Sequence, residues 1–253
     1  MPSYKEYLVE LSKTAPSITT AAILAGLLCT TQATMADTPS NELEGDPRYV
    51  AGVYLGSFGL GASVSVDTDL SLISGDKIQW RTSLSGADIE DASNDDYSDI
   101  DYNDIDVSLY ALKSGVDWYP YQTGWADEVY FSVGMLYLNS EFQGSADTSK
   151  SFSVGGAEVQ PGDINSLNTS VEYSGVLPYL SLGWGNKLVG KRGFDFQAEI
   201  GLAYRVSDVQ VGVTADDPDG VLTAANLSAE AREIEDEMGD IQGFSSITVS
   251  YIF

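Results

Sequence analysis

The sequence predicts an all-β protein, an eight-stranded antiparallel transmembrane β-barrel with long outer loops, one containing a short helix. Three observations predict it. First, oily and polar residues alternate strictly, most clearly from Phe194 to Val206. There Phe194, Phe196, Ala198, Ile200, Leu202, Tyr204 and Val206 share one parity, and Asp195, Gln197, Glu199, Gly201, Ala203 and Arg205 the other. That run is long for a soluble sheet, whose strands average about five or six residues, and suits a tilted membrane strand of about nine to eleven. Second, the last strand, Ser245 to Phe253, sets Ile247, Val249, Tyr251 and Phe253 against Ser246, Thr248 and Ser250. An end on aromatic Phe253, with Tyr251 two residues earlier, resembles the C-terminal signal by which the barrel-assembly machinery recognises outer-membrane barrels. Third, connections between strands alternate between short and long, as in barrels with periplasmic turns and extracellular loops.

The other strands follow in order. Tyr49 to Leu55 is the first, turning through Gly56, Ser57, Phe58 and Gly59 into the second, where Leu60, Ala62, Val64 and Val66 oppose Ser63 and Ser65. In the third, Ile78, Trp80, Thr82 and Leu84 oppose Gln79, Arg81, Ser83 and Ser85. The fourth sets Tyr110, Leu112, Val116 and Trp118 against Lys113, Gly115 and Asp117. The fifth has Phe131, Val133, Met135 and Tyr137 on its oily face, and the sixth Pro178, Leu180, Leu182 and Trp184. Barrels of this class have an even number of strands and keep both termini in the periplasm. Counting back from Phe253 makes 67–76, 119–128 and 185–193 periplasmic turns, and 88–104, 143–169 and 214–243 outer loops. Trp118, Tyr119, Tyr121, Trp125 and Trp184 then gather at the periplasmic rim, where amphipathic rings sit well.

The N-terminus reads as an export signal over residues 1–36: Lys5 and Lys13 precede the apolar stretch Ile18 to Cys29, and Thr34-Met35-Ala36 offers a cleavage site. A short periplasmic segment, 37–47, leads to the barrel, 48–253. Cys29 lies in the signal, so thiol chemistry has no residue in the barrel. Beyond the N-terminus no apolar run reaches the 18 or so residues of a membrane helix.

The composition is strongly acidic: 38 Asp and Glu against 12 Lys and Arg, a formal charge of −26, and no histidine. Nucleic acid is excluded as a partner, because phosphate contacts need basic patches. Histidine general acid/base catalysis, Ser-His-Asp triads and histidine metal ligation are excluded by composition. No catalytic residue, metal or cofactor is expected.

Three segments are candidates for function. The acid-rich stretch from Asp88 to Asp106 includes Asp95, Asp96, Asp99, Asp101, Asp104 and Asp106. Asp99, Asp101 and Asn103 match the first ligand positions of an EF-hand, but Asp104 replaces its glycine and Tyr110 its closing glutamate, so the motif is rejected. What remains is either a solvated, mutually repelling loop or one that weakly attracts cations. From Thr223 to Asp240, Leu227, Ala231, Ile234 and Met238 recur at helical spacing among acids, an amphipathic helix in the last outer loop. Lastly, the inward parity carries Arg81, Lys113, Asp117, Asp195, Glu199 and Arg205, charges of both signs facing a lumen narrow enough for side chains to fill. These charges read either as a paired interior plug or as a thin polar path.

The chain resembles a family of small proteobacterial outer-membrane barrels, similar to the ornithine-uptake porins. The resemblance rests on Pro178 to Asn186 (PYLSLGWGN), on Gly193-Phe194-Asp195-Phe196 leading to Gly201-Leu202-Ala203-Tyr204, on Asn226 to Glu237, and on Val116-Asp117-Trp118-Tyr119-Pro120 after the acidic loop. Tyr251-Ile252-Phe253 stands where the family more usually ends Tyr-Arg-Phe. The resemblance implies a barrel in outer-membrane lipid that passes small basic solutes. Two functions therefore stand open: a narrow channel for small cationic or amino-acid solutes, and a non-conducting structural or adhesion barrel acting through its acidic loops.

Overall fold

Period-two alternation becomes eleven strands and one helix among the described residues: β1 (Tyr49–Gly56), β2 (Gly59–Asp67), β3 (Lys77–Asn94), β4 (Tyr102–Tyr119), β5 (Val129–Ala146), β6 (Phe152–Val154), β7 (Ala157–Val159), β8 (Ser166–Trp184), β9 (Gly193–Tyr204), β10 (Gln210–Asp216), α1 (Ala224–Glu237) and β11 (Ile241–Ile252). The computed structural model describes residues 48–94, 100–121, 123–124, 126–185, 187–188 and 192–253. The expected signal, 1–36, and the segment 37–47 lie outside these, as do Asp95, Asp96, Asp99 and Trp125.

Eight strands close a ring of antiparallel ladders, in the order β1, β2, β3, β4, β5, β8, β9, β11 and back to β1. Closure leaves no unpaired edge in the ring, the condition that a sheet in hydrocarbon would have to meet. The β8–β9 ladder begins at Tyr179, one residue beyond Pro178, whose imide has no hydrogen to donate.

On the outer wall the oily parity is exposed: Leu84, Leu112, Val133, Leu180, Ile200 and Val249 are among the exposed large apolar residues. From Phe194 to Tyr204, at about 3.3 Å per residue and a 40° tilt, this band rises roughly 25 Å, the height expected of a barrel's lipid-facing belt. Trp80, Trp184, Phe194 and Tyr251 mark its lower rim and Tyr110, Tyr137 and Tyr204 its upper rim; among the described residues no helix is long and apolar enough to cross a membrane.

The structure corrects several boundaries. Strands β3, β4, β5 and β8 run well past the belt, so Asp88 and Asp104 to Asp106 lie on strands instead of in a loop. The expected outer loop 143–169 shrinks likewise and contains the β6–β7 hairpin. The last outer connection begins after Tyr204: Arg205 and Val206 leave the strand where Ile241 starts β11, and β10 rises to pair with the outer half of β8. Tyr119 is buried on the lumen side of the ring, below the charged residues, instead of at the lipid rim.

Above the belt these elements build a cap with its own core of Ile100, Phe152, Val154, Val159, Ile164 and Leu167. Helix α1 is capped by Thr223, whose hydroxyl accepts from the Asn226 amide while the Asn226 side chain accepts from the Thr223 amide. Leu227 packs on the cap core and Ile234 on the upper lumen core, so the half-buried stripe of α1 bridges the two. The hairpin tip meets α1 through Gly155, whose amide donates to Glu230 at 2.7 Å and whose carbonyl accepts from Asn226 at 3.2 Å.

Candidate functional site

The inward parity brings four of the expected charges together inside the ring. Arg81 on β3 donates through Nη1 to Glu199 Oε2 on β9 at 2.7 Å and through Nη2 to Asp117 Oδ1 on β4 at 3.0 Å. Its Nε lies 2.9 Å from Asp117 Oδ2, close enough to attract but off the hydrogen-bond line. Lys113 Nζ donates to Glu199 Oε2 at 2.6 Å, and Ser181 Oγ to Glu199 Oε1 at 2.6 Å. All four charged residues are buried, at 1 to 3% exposure, and their charges balance.

The ring order explains the reach of this network. With eight strands, β3 and β9 stand opposite each other, so the Arg81–Glu199 pair spans the lumen instead of following the wall. Such a cluster is stable only while every charge keeps its partner, because desolvation is costly and only complementary charge and hydrogen bonds offset it.

Aromatic residues fill the space around it. The Arg81 guanidinium sits 5.2 Å from the Tyr130 ring centre, and Gln197 donates to the Tyr130 hydroxyl at 2.6 Å. Tyr119 packs 5.2 Å from Tyr130 below, and its hydroxyl donates to the Gly185 carbonyl. On the outer side, Lys113 Nζ lies 5.1 Å from Phe244 and 5.6 Å from both Tyr54 and Tyr179, a set of ring faces that suits a cation. Glycines on the inward parity make room: a Cβ at Gly115 would collide with Tyr179, and one at Gly183 with Tyr130. Above lie Phe58, Leu136, Leu177 and Val209, continuous with Ile234 of α1.

The remaining expected residues lie elsewhere. Asp195 is on the inward parity near the start of β9, where its carboxylate accepts from the Phe196 amide. Arg205 lies beyond β9 at the outer mouth, 4.0 Å from Asp240, because the ladder has ended there. Asp104 and Asp106 are exposed on β4, and Asp101 pairs with Lys150 at 2.8 Å. Among the described residues no cluster of three or more acidic, Cys or His side chains is arranged to hold a metal. Tyr251 stacks edge-on between Phe194 and Phe253, with ring centres 5.3 and 5.1 Å away.

Sequence reasoning did not single out Tyr54, Tyr130, Tyr179, Ser181, Gln197 or Phe244. The available signal was large aromatic residues on the polar parity, interleaved with glycine and serine as in Tyr179, Ser181 and Gly183. In a lumen, small neighbours mark where a ring lies flat.

No family model matches the chain, and no curated protein matches it either. Solved structures do. The crystal structure of Acinetobacter baumannii CarO matches with a TM-score of 0.57 at 21% identity, over 85% of this chain and 100% of that one. The crystal structure of Acinetobacter baumannii CarO2 matches with a TM-score of 0.58 at 17% identity, over 83% and 100%. At these identities the likeness is one of architecture: this chain has the closed antiparallel barrel fold of CarO, and the resemblance to small outer-membrane barrels holds at that level.

Proposed function

We propose that the chain is a porin-like barrel of the outer membrane whose lumen is closed at rest, and that it acts chiefly through its acidic extracellular cap. The observation that carries this reading is the Arg81–Glu199 pair, which spans the ring with both side chains buried. A solute crossing the barrel has to part that pair and the Lys113–Glu199 pair, leaving charges unpaired in a dry interior. The cap above the lumen, with its own core and the Gly155 contact to α1, supports the same reading. The test is solute uptake into liposomes carrying the refolded chain. Wild-type protein is expected to pass no amino acid or small cation above protein-free vesicles, and wild-type uptake would overturn the reading.

A second reading, a narrow route for small cationic or amino-acid solutes, is favoured by one observation. Lys113 places an ammonium between Glu199 and three ring faces, so the lumen already accommodates that chemical group. On this reading the network is a gate, and lysine or ornithine uptake appears in wild-type liposomes.

A further inference from the structure

The periplasmic turn between β2 and β3 carries three large apolar residues in the open: Leu70 at 63% exposure, Leu72 at 71% and Ile73 at 54%. A turn that faces only water has no use for such a tip, and single exposed apolar residues do not usually come three in four positions.

The attachments of the turn show which way it folds. Asp76, the residue before β3, shares the outward parity of Trp80 and Leu84. Its Oδ2 accepts from the Leu72 amide at 3.0 Å, the Ile73 amide at 3.1 Å and Trp118 Nε1 at 2.8 Å. Trp118 belongs to the outward, lipid-facing row of β4, so one carboxylate oxygen ties the apolar tip to the outer wall. Ile78, also on the outward parity and paired with Trp118, is only 6% exposed, so this corner of the oily face is already covered. Thr68 adds two bonds to the Ile78 carbonyl, at 2.7 Å from its hydroxyl and 3.1 Å from its amide.

Two acids of the turn are paired with cations, while Asp76 is held by neutral donors alone. Asp69 pairs with Arg48 at 2.8 Å and Asp67 with Lys77 at 2.9 Å. The tip itself, Leu70 to Gly75, carries no charge. An uncharged apolar loop, held on the lipid side of a barrel at its aromatic rim, matches the headgroup–acyl boundary of a bilayer, where apolar side chains sink about 5–10 Å.

We propose that this turn is a wedge inserted in the periplasmic leaflet, with Leu70, Leu72 and Ile73 among the phospholipid acyl chains and Asp76 as the residue that positions it. The proposal rests on the membrane reading of the barrel, and a control separates the two. In a Cys29→Ser background, single cysteines at Leu72 and at Leu180 are labelled with an environment-sensitive fluorophore, and the chain is refolded into phosphatidylcholine vesicles with or without nitroxide-labelled lipid. Both probes are expected to shift to the blue and to be quenched by the nitroxide lipid. Quenching at Leu180 with a water-like spectrum at Leu72 overturns the wedge while leaving the barrel in the bilayer. Loss of quenching at Leu180 overturns the membrane reading itself. A third variant, the Leu72 probe combined with Asp76→Ala, is expected to lose part of its blue shift; an unchanged spectrum overturns the positioning role of Asp76.

Discussion

Arg81 and Glu199 stand on opposite strands of the ring and meet at 2.7 Å, so one ion pair bridges the lumen at a level where both side chains are buried. Since Glu199 Oε2 also accepts from Lys113, one carboxylate oxygen serves two cations, while Asp117 completes the balance.

Removing one member therefore leaves charge uncompensated. Glu199→Ala leaves Arg81 with Asp117 alone and Lys113 without a carboxylate, and the expected loss is about 3–5 kcal/mol. Replacing all four residues by apolar ones of similar volume is expected to be neutral, or stabilising by about 1–4 kcal/mol. Urea unfolding of both variants in vesicles or detergent checks the contrast. A mild single-substitution effect would mean that water reaches the cluster.

The tip of the β6–β7 hairpin is hydrogen-bonded to α1 through Gly155. Gly155 has φ +51°, and a side chain there would run into the Asn226 backbone, so Gly155→Ala is expected to free the β6–β7 hairpin. Glu230→Ala removes the bond to the Gly155 amide, about 1–3 kcal/mol locally because that donor is part-buried. Limited proteolysis around Ser149 to Gly156 should rise in both variants, more in the first, with the barrel unaffected.

Much of the barrel was legible because an oily outer face and a polar inner face impose one alternation on each strand. The outer halves were not, and the strands themselves show why. On β8, Leu180 and Leu182 put oily residues outward, whereas higher up Leu167, Val171 and Tyr173 are buried inward while Asn168 and Glu172 face out. The pleat continues unbroken, but the outer face changes from apolar to polar and the inner face from polar to apolar, so the oily parity flips. β4 does the same between Leu112 and Ile105. A search for one continuous parity stops at the flip and assigns the remainder to loops.

The site was half legible for a similar reason. Parity sends Arg81, Lys113, Asp117, Asp195, Glu199 and Arg205 to one side of the wall, yet says nothing of height. Glu199 meets Arg81 because strand order and register bring them level; Asp195 lies below on the same strand, and Arg205 beyond its end. Nor does parity separate a charge from the ring that covers it, so Tyr130, Tyr179 and Phe244 went unnoticed.

The tie between Asp76 and its turn has a defined pH dependence. Burial acts to raise the Asp76 carboxyl, but hydrogen bonds from Ser71, Ile73, Trp118 and Leu72 outweigh it and bring it from 3.8 to about 2. Because the folded value is depressed, the stabilisation is fully present above pH 3.8 and is lost as pH falls through about 2. Amide exchange at Leu72 and Ile73 should therefore be protected at pH 5, relative to intrinsic rates, and lose that protection near pH 2. In Asp76→Ala, protection should be low at both.

At the C-terminus, Tyr251 sits between Phe194 and Phe253 on the outer wall. As the expected assembly signal, Tyr251→Ala and Phe253→Ala should each lower the fraction of heat-modifiable, folded barrel recovered from cells. Refolding of the purified variants in detergent should be nearly unaffected.

Planar-bilayer recording of the refolded wild-type chain beside Arg81→Ala/Glu199→Ala tests the closed lumen most directly. The wild type is expected to give no discrete conductance steps, while the double variant, with the bridge across the ring removed, gives small ones. Regular steps from the wild type, indistinguishable from those of the variant, would contradict a lumen closed by Arg81 and Glu199.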